Sequence, residues 1–414
     1  MILAWQHGSI RDDVKTAQYS EPPCMAQTAS LTDRVRLLEE CLVTAADLWR
    51  PNPFRQPDPD WLDARPELAS VLLELCEPSV TALEDDPGAL RELLAPHLPE
   101  LDATLAACEP TALAWPPVEL PDRFAGTHVP GRKWNQIQAF IGALPPSRRP
   151  VVDWCAGKGH LGRTLARLGE RSVRCLERQP ELARKGAALA TGLPVRFELC
   201  DVMAEAPRIA PDEQVLALHA CGALHERLLD LAEAGQVRHL SLAPCCYHLT
   251  PAWRPRAGAS RLALDPELMQ LAVQDTATAP ARVRRARLEE RAFRTGFDAL
   301  QRQLRGVDAY LPTPSWSGAK RPRDFAGFCA AAAAHHGLRL PAARNLPSWL
   351  ELGFQRDARS RRLELLRHGF RRALELYIVH DRAVSLEAAG FTVRLARFCP
   401  RQVTPRNLLL QAWR

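Results

Sequence analysis

The sequence predicts an α/β fold with a parallel, doubly wound sheet and helical segments outside it. Three observations support this fold class: strand and helix patterns alternate regularly from residue 150, a glycine-rich loop separates the first strand from the first helix, and the chain ends in a helix and two strands. Strands that alternate with helices of about ten residues are typical of βαβ units, which build parallel sheets.

Short apolar runs predict the strands, and apolar residues at helical spacing predict the helices between them. The first five strands are expected at Val151–Cys155, Ser172–Glu177, Val195–Leu199, Val215–His219 and Leu240–Ala243. Their helices are expected at Leu161–Leu168, Glu181–Ala190 and Leu224–Ala234. A helix over 371–389 and an antiparallel hairpin of Phe391–Arg397 and Leu408–Trp413 complete a seven-stranded, Rossmann-like sheet.

The chain of 414 residues divides into four predicted segments. Residues 1–115 form a helical accessory domain, in which proline pairs separate short amphipathic pieces. Residues 116–250 form the cofactor-binding core. Residues 251–370 form an arginine-rich helical insertion, because so long a connection is unusual within a compact sheet domain. Residues 371–414 return to the sheet and complete it.

Composition excludes several classes of protein. With 46% hydrophobic and 25% charged residues the chain resembles a soluble globular protein, and no apolar run reaches the roughly 18 residues of a membrane span. The N-terminus lacks a secretory signal, so we expect a cytoplasmic location and no membrane partner. The 12 cysteines include no C-x-x-C pair, which indicates reduced thiols instead of a disulfide framework or zinc ribbon. Nothing in the sequence indicates an obligate protein partner.

The glycine loop reads Gly157-Lys158-Gly159-His160-Leu161-Gly162, a pattern that NAD-binding folds share, with Glu177 placed as a ribose-binding acid. Asp153, just before the glycines, suits a cofactor with a cationic amino-acid moiety and fits poorly beside a pyrophosphate. Asp201 follows the third strand, where the adenine of S-adenosylmethionine normally finds a polar partner. We therefore predict S-adenosylmethionine as the cofactor, with an NAD-dependent oxidoreductase or a loop without ligand as alternatives.

The predicted cofactor-binding residues share a position at the carboxyl ends of strands, where open α/β sheets bind ligands. They are Asp153, Ala156, Gly157, Gly159, Glu177, Asp201, Val202 and His219.

Two further segments end the fourth and fifth strands: Leu218-His219-Ala220-Cys221-Gly222 and Pro244-Cys245-Cys246-Tyr247-His248. With the glycine loop they resemble the methyltransferase domain shared by the methyltransferase-like 25 proteins and the glutathione S-transferase C-terminal-domain-containing proteins. Asp381-Arg382 and Thr404-Pro405-Arg406-Asn407 resemble the Asp-Arg and Ser-Pro-Arg-Asn signatures of that group, and Val129–Trp134 loosely resembles its basic segment.

This resemblance covers about 130–250 and 370–414, and it implies a class I S-adenosylmethionine-dependent methyltransferase with a C-terminal antiparallel hairpin. The chain is more distantly similar to the eukaryotic tRNA acceptor-stem 2′-O-methyltransferases, which also pair a His-x-Cys-Gly with a Cys-Cys-x-His segment. That similarity implies RNA, either tRNA or rRNA, as the methyl acceptor. The alternative is a non-catalytic RNA- or protein-binding module that retains the fold.

The candidate catalytic residues allow several chemistries. His219 or His248 could act as general base toward an oxygen acceptor, and Cys245 or Cys246 could attack a pyrimidine ring as nucleophile. Equally, the cysteines could pack beneath the cofactor while Tyr247 flanks the acceptor pocket. A metal cluster is a further alternative, but we predict none, because the spacing of its possible ligands fits no standard zinc pattern. Those possible ligands are His219, Cys221, His225, Cys245, Cys246 and His248.

One short run of the insertion concentrates arginines within a predicted helix. Glu289 and Glu290 dilute its charge, which favours a solvated helix face over an RNA-binding surface. The run comprises Arg282, Arg284, Arg285, Arg287, Arg291 and Arg294.

Overall fold

The computed structural model describes residues 29–113, 126–127, 129–169, 171–274, 281–316, 322–340 and 345–414. The predicted boundary between residues 115 and 116 lies outside these ranges. Within them, no helix combines the length and the apolar character that crossing a membrane requires.

A seven-stranded mixed sheet forms the centre of the molecule. Its strands are β1 (Val151–Asp153), β2 (Val173–Glu177), β3 (Val195–Leu199), β4 (Gln214–Cys221), β5 (His239–Cys245), β6 (Thr392–Arg397) and β7 (Leu408–Trp413). Their order is β3-β2-β1-β4-β5-β7-β6. The first five strands pair in parallel, whereas β7 runs antiparallel to both β5 and β6. The predicted fold class, a Rossmann-like methyltransferase sheet with a C-terminal antiparallel hairpin, is confirmed.

Helices cover both faces of the sheet because successive side chains of each strand point to opposite sides. Val152 packs into one apolar layer together with Leu228, and its neighbour Val151 packs into the other layer together with Phe140. The helices of these layers are α8 (Gly131–Gly142), α9 (His160–Gly169), α10 (Pro180–Leu189), α11 (Ala223–Glu233) and α16 (Arg371–Ala388).

The N-terminal part is helical, as predicted. Several of its helices begin with proline in the first turn, where the missing N–H costs nothing, and Asp86 caps the sixth by accepting the N–H groups of Gly88 and Ala89. The helices are α1 (Leu31–Thr44), α2 (Ala46–Trp49), α3 (Trp61–Ala64), α4 (Pro66–Leu73), α5 (Glu77–Asp85), α6 (Pro87–Leu94) and α7 (Pro99–Cys108).

The segment after β5 contains α12 (Pro266–Leu271), α13 (Ala281–Arg305), α14 (Phe325–His336) and α15 (Leu346–Gly369). Helix α15 packs on α13 and also on α4, α5 and α6. Arg361 of α15 pairs with Glu77 and Glu84 of the N-terminal helices at 2.8 Å each. The insertion and the N-terminal helices therefore share one apolar cluster, and the division into four segments stays a prediction.

The prediction of a solvated arginine face holds for only part of α13. Arg282, Arg285 and Arg287 are exposed. Arg291, in contrast, pairs with Asp357 and Glu364 of α15 at 2.8 and 3.1 Å, because α13 and α15 pack along their length. Two further members of the arginine run also form ion pairs: Arg284 with Asp85, and Arg294 with Glu290.

Candidate active site

The glycine loop is fixed at both ends by one carboxylate. Asp153 ends β1, and its Oδ2 accepts the backbone N–H of Gly162 in α9 at 3.0 Å. Its side chain is buried, and burial raises the pKa of Asp153 to about 7. The strand is shorter than predicted, because the chain turns out of the sheet at Trp154. Asp153 therefore ties the strand to the helix that follows the loop.

Gly157 and Gly159 are needed in the loop for different structural reasons. Both have left-handed backbones, with φ of +60° at Gly157 and +63° at Gly159. A Cβ on Gly159 would lie 2.6 Å from Cζ of Phe197 in β3, so this glycine permits close packing of the loop on the sheet. A Cβ on Gly157 would meet no described atom within 4 Å. Gly157 therefore faces open space, as a glycine that cradles a ligand does.

Glu177, at the end of β2, holds the loop from the neighbouring strand. Its Oε2 accepts the N–H of Gly157, and its Oε1 accepts the N–H of Gln179, both at 2.8 Å. Because each carboxylate oxygen can accept two hydrogen bonds, these contacts leave acceptor capacity for a ligand. The Ala156 N–H is taken by the carbonyl of Leu176 at 2.9 Å.

Asp201 follows β3, two strands from Asp153. Its Oδ1 accepts the N–H of Met203 at 3.1 Å, and its Oδ2 lies 3.8 Å from the guanidinium of Arg178. Val202 is buried against the apolar layer that contains Trp154. The structure thus brings the predicted cofactor residues of β1, β2 and β3 to one edge of three adjacent strands, which fits a cofactor with an amino-acid moiety, a ribose and an adenine.

His219 lies in an irregularity of β4, where the register with β5 shifts between Leu218 and Ala220. Its φ is +62°. The imidazole Nε2 contacts Oε1 of Gln136 at 3.2 Å, and Nε2 of Gln136 donates to the carbonyl of Val403 at 3.2 Å. Because that second bond orients the amide, Nε2 of His219 carries the proton and Nδ1 is the accepting nitrogen.

Charge and burial keep this histidine neutral. Burial, together with the nearby cations Lys133 and Arg406 and against the opposing effect of Cys246, lowers the pKa of His219 to about 4. Lys133 also acts on Asp153, whose pKa it lowers against the effect of burial. The sequence offered only a loose resemblance for Lys133 and no signal for Gln136, although both lie on α8.

Three thiols meet where β4 and β5 end. Cys221 and Cys245 are register partners, with their Sγ atoms 3.3 Å apart, and Cys246 lies beside them, with all three Sγ atoms within 4.8 Å of one another. Hydrogen bonds with Cys221 and Cys245 lower the pKa of Cys246, whereas hydrogen bonds with Cys221 and Cys246 raise the pKa of Cys245.

Three other residues that the sequence singles out, Tyr247, His225 and His248, do not belong to the thiol cluster. Tyr247 is only 1% exposed and its ring packs edge-on against His225, with ring centroids 5.9 Å apart. Tyr247 thus lies in the interior, so its prediction as a residue flanking the acceptor pocket is not supported by its burial. His225 is fully buried, with Nε2 3.1 Å from Oε1 of Glu226. His248 is half-buried, and no described residue partners its buried Nδ1.

The C-terminal signatures stabilise the site without adding reactive groups to it. Asp381 accepts the N–H groups of Arg256 and Ala257 at 2.8 to 3.0 Å, and Arg382 pairs with Glu226. Asp381 thus fixes the chain that leaves β5, and Arg382 ties α16 to α11.

The hairpin signature has a similar structural role. The Thr404 hydroxyl accepts the N–H of Arg406 at 3.2 Å, and Nδ2 of Asn407 donates to the carbonyl of Cys399 at 2.9 Å. These bonds close the turn between β6 and β7 beside the end of β5, and they place Arg406 near His219 and Cys246.

Comparison with known proteins supports a methyltransferase. Residues 132–251 match the family model of a methyltransferase domain. No curated protein matches the chain. Among solved structures, the chain is similar to the crystal structure of 23S rRNA methyltransferase ErmE, with 20% identity and a TM-score of 0.22 over 30% of this chain and 46% of that chain. The chain thus spans less than half the length of that protein, and so partial a likeness carries no argument about the substrate.

Proposed function

We propose that this chain is an S-adenosylmethionine-dependent methyltransferase that acts on RNA, either tRNA or rRNA. The observation that carries the proposal is the loop at Gly157, whose left-handed backbone faces open space between carboxylates at the ends of β1, β2 and β3. Backbone of this kind allows close approach of a ligand.

Each carboxylate has a distinct role in holding the cofactor. When bound, S-adenosylmethionine supplies a sulfonium methyl group to the acceptor. In its ionised form, Asp153 would attract the ammonium of the cofactor's amino-acid moiety. Glu177 would accept from the ribose hydroxyls, and Asp201 with Val202 would contact the adenine. Methyl transfer is an in-line displacement, so positioning of the reactants supplies much of the rate.

An oxygen acceptor must also lose a proton, and His219 is the residue we assign to this step. Gln136 holds Nε2 of His219 as the donor, which leaves Nδ1 to accept the proton. The assignment depends on the orientation of the ring and on its position at the end of β4.

An arginine-rich cavity supports RNA as the acceptor. A cavity of about 390 Å³ lies between the N-terminal helices and the β6–β7 turn, and Arg406 links it to the site. Six arginines and four carboxylates line it. Four of the arginines pair with three of these carboxylates, so the lining keeps a small positive excess, which favours an anionic ligand such as a phosphate. The charged lining residues are Glu84, Arg91, Asp102, Glu109, Arg371, Arg372, Glu375, Arg397, Arg401 and Arg406.

The test incubates the full chain with methyl-labelled S-adenosylmethionine and separate RNA, protein and small-molecule fractions of its host. We expect label in RNA, lost in Gly157→Val because the added side chain fills the cradle. Gly337→Val is the matched control: its φ is +65° with nothing within 4 Å, at the end of α14. Label in the protein fraction would refute the RNA acceptor. Salt-sensitive RNA binding that survives Gly157→Val, without transfer, would favour the non-catalytic module instead.

A further inference from the structure

Three cysteines at the methyl-transfer edge have no role in the proposed transfer. Cys221 ends β4, and Cys245 and Cys246 end β5 and begin the turn that follows it. Two of the thiols are 3.3 Å apart, and each of the three lies within 4.8 Å of the others. Cys245 is 4% exposed, while the other two are half-buried.

The backbone is distorted in a way that brings these thiols together. In an extended strand, consecutive side chains point to opposite faces, so Cys245 and Cys246 would separate. Cys246 instead has a left-handed backbone with φ of +50°, which costs a residue with a side chain about 1–2 kcal/mol. In β4, the register shift after Leu218 aligns Cys221 with Cys245. Both irregularities place sulfur beside sulfur.

The spacing of the thiols fits a metal better than a disulfide. A tetrahedral Zn²⁺ with Zn–S distances of about 2.3 Å holds its sulfur ligands about 3.8 Å apart. The observed separations, 3.3 Å for one pair and at most 4.8 Å for any, bracket that value. A disulfide would require an S–S distance of about 2.05 Å and would leave the third thiol without a partner.

We infer that Cys221, Cys245 and Cys246 bind one Zn²⁺ ion. Three thiolates on a divalent cation leave one negative charge, and the nearby guanidinium of Arg406 acts on Cys246 with the opposite sign. Among the described residues, no fourth histidine, cysteine or carboxylate lies in the same cluster. Three protein ligands and one exchangeable position are the pattern of zinc sites that bind a further molecule. This departs from the sequence prediction of no metal.

The role of the fourth position rests on the proposed function. The cluster lies at the carboxyl ends of β4 and β5, beside His219. A Zn²⁺ ion there would coordinate water or the hydroxyl of an acceptor and lower its pKa. Binding of the ion itself does not depend on methyl transfer, so the two proposals can fail separately.

The test measures metal in the full chain purified without a metal-affinity tag. We expect about one zinc per chain by elemental analysis. The metal-free protein should bind Co²⁺ with the intense near-ultraviolet thiolate charge-transfer band and the visible bands of a tetrahedral site. Cys221→Ser and Cys246→Ser should each weaken Co²⁺ binding at least tenfold. The matched controls are Cys329→Ser, a buried thiol of α14, and Cys76→Ser, an exposed one, and both should bind as the unaltered chain does.

Circular dichroism and S-adenosylmethionine binding report whether each variant is folded. If Cys221→Ser unfolds, Cys246→Ser, at a half-exposed position, carries the test. A metal-free protein that does not take up Co²⁺ would overturn the inference. So would Co²⁺ spectra unchanged in both variants, or a Cys221–Cys245 disulfide seen as a mass that reduction increases. Zinc without cofactor binding would refute only the proposed function, and cofactor binding without zinc only this inference.

Discussion

Asp153 is buried in the fold and is the residue that we propose to hold the cofactor, and Asp153→Asn tests both roles. The carboxyl is buried, with the Gly162 N–H as its hydrogen-bond donor. The ammonium of Lys133 attracts its charge and the carboxylate of Glu177 repels it, while the Cys175 thiol lies 4.0 Å away. Burial dominates and raises the pKa of Asp153 from 3.8 to about 7.

Because folding raises the pKa of Asp153, the folded chain loses stability as the pH rises. In the folded chain the group holds its proton up to about pH 7, whereas in the unfolded chain it loses it near pH 4. The favourable contribution is therefore complete below pH 4 and is lost as the pH rises to about 7. At about 1.4 kcal/mol for each pKa unit, the ionised folded state loses at most about 4 kcal/mol. An asparagine keeps an oxygen for Gly162 and never ionises.

We expect Asp153→Asn and the unaltered chain to be equally stable at pH 4. At pH 8 the variant should be more stable by about 2–4 kcal/mol. Urea unfolding between pH 4 and 8 measures the difference, and calorimetry should show that the variant no longer binds S-adenosylmethionine. Asp212→Asn, at an exposed carboxylate before β4, should change neither. A stability difference that does not vary with pH, or a variant that is less stable at pH 8, would show that the Asp153 charge does not destabilise the folded chain.

Two further substitutions test single contacts. Gln136→Leu removes the acceptor that fixes the His219 tautomer, so kcat should fall about tenfold or more while the KM for the cofactor stays unchanged; an equal rise in KM would contradict a positioning role. Gly159→Ala places a Cβ 2.6 Å from Cζ of Phe197, which should lower the free energy of unfolding by about 1–3 kcal/mol. Part of that loss should return in Gly159→Ala/Phe197→Leu, and no recovery in urea unfolding would place the cost in the backbone alone.

The sheet could be predicted from the sequence because its signals are local. Each strand of the core is a short apolar run beside a turn, and Leu408–Trp413 was predicted with the bounds that the structure has. The packing of α15 on the N-terminal helices has no such signal, because Arg361 and its partner Glu77 are far apart in the chain and ion pairs leave no periodic pattern. Segment boundaries drawn from sequence therefore separated parts that share one apolar cluster.

The positions of three carboxylates of the candidate site could be predicted from the sequence. Asp153, Glu177 and Asp201 each follow a strand, and parallel strands bring their carboxyl ends to one edge. The sequence points to His219 but not to its partner Gln136, because a glutamine on an amphipathic helix belongs to no motif. The signature Asp381-Arg382, which the resemblance singles out, holds the chain after β5 through Asp381 and helix α11 through Arg382. A motif that a resemblance singles out can therefore consist of residues that hold the site in place, and not only of residues that react.

Residues with a left-handed backbone indicate the candidate site in the structure, but they cannot be recognised in the sequence. Among the described residues, the non-glycine positions with positive φ are Cys155, His219 and Cys246. They lie just after β1, within β4 and just after β5, all toward the edge that holds the glycine loop and the thiols. Such backbone costs about 1–2 kcal/mol at each position and persists only where the surrounding structure enforces it. Glycine is the usual sequence signal of a left-handed backbone, and these three positions are cysteine or histidine. A sequence pattern therefore cannot detect them. Their convergence on one edge is independent of any family resemblance, and it identifies the same edge as the carboxylates Asp153, Glu177 and Asp201 do.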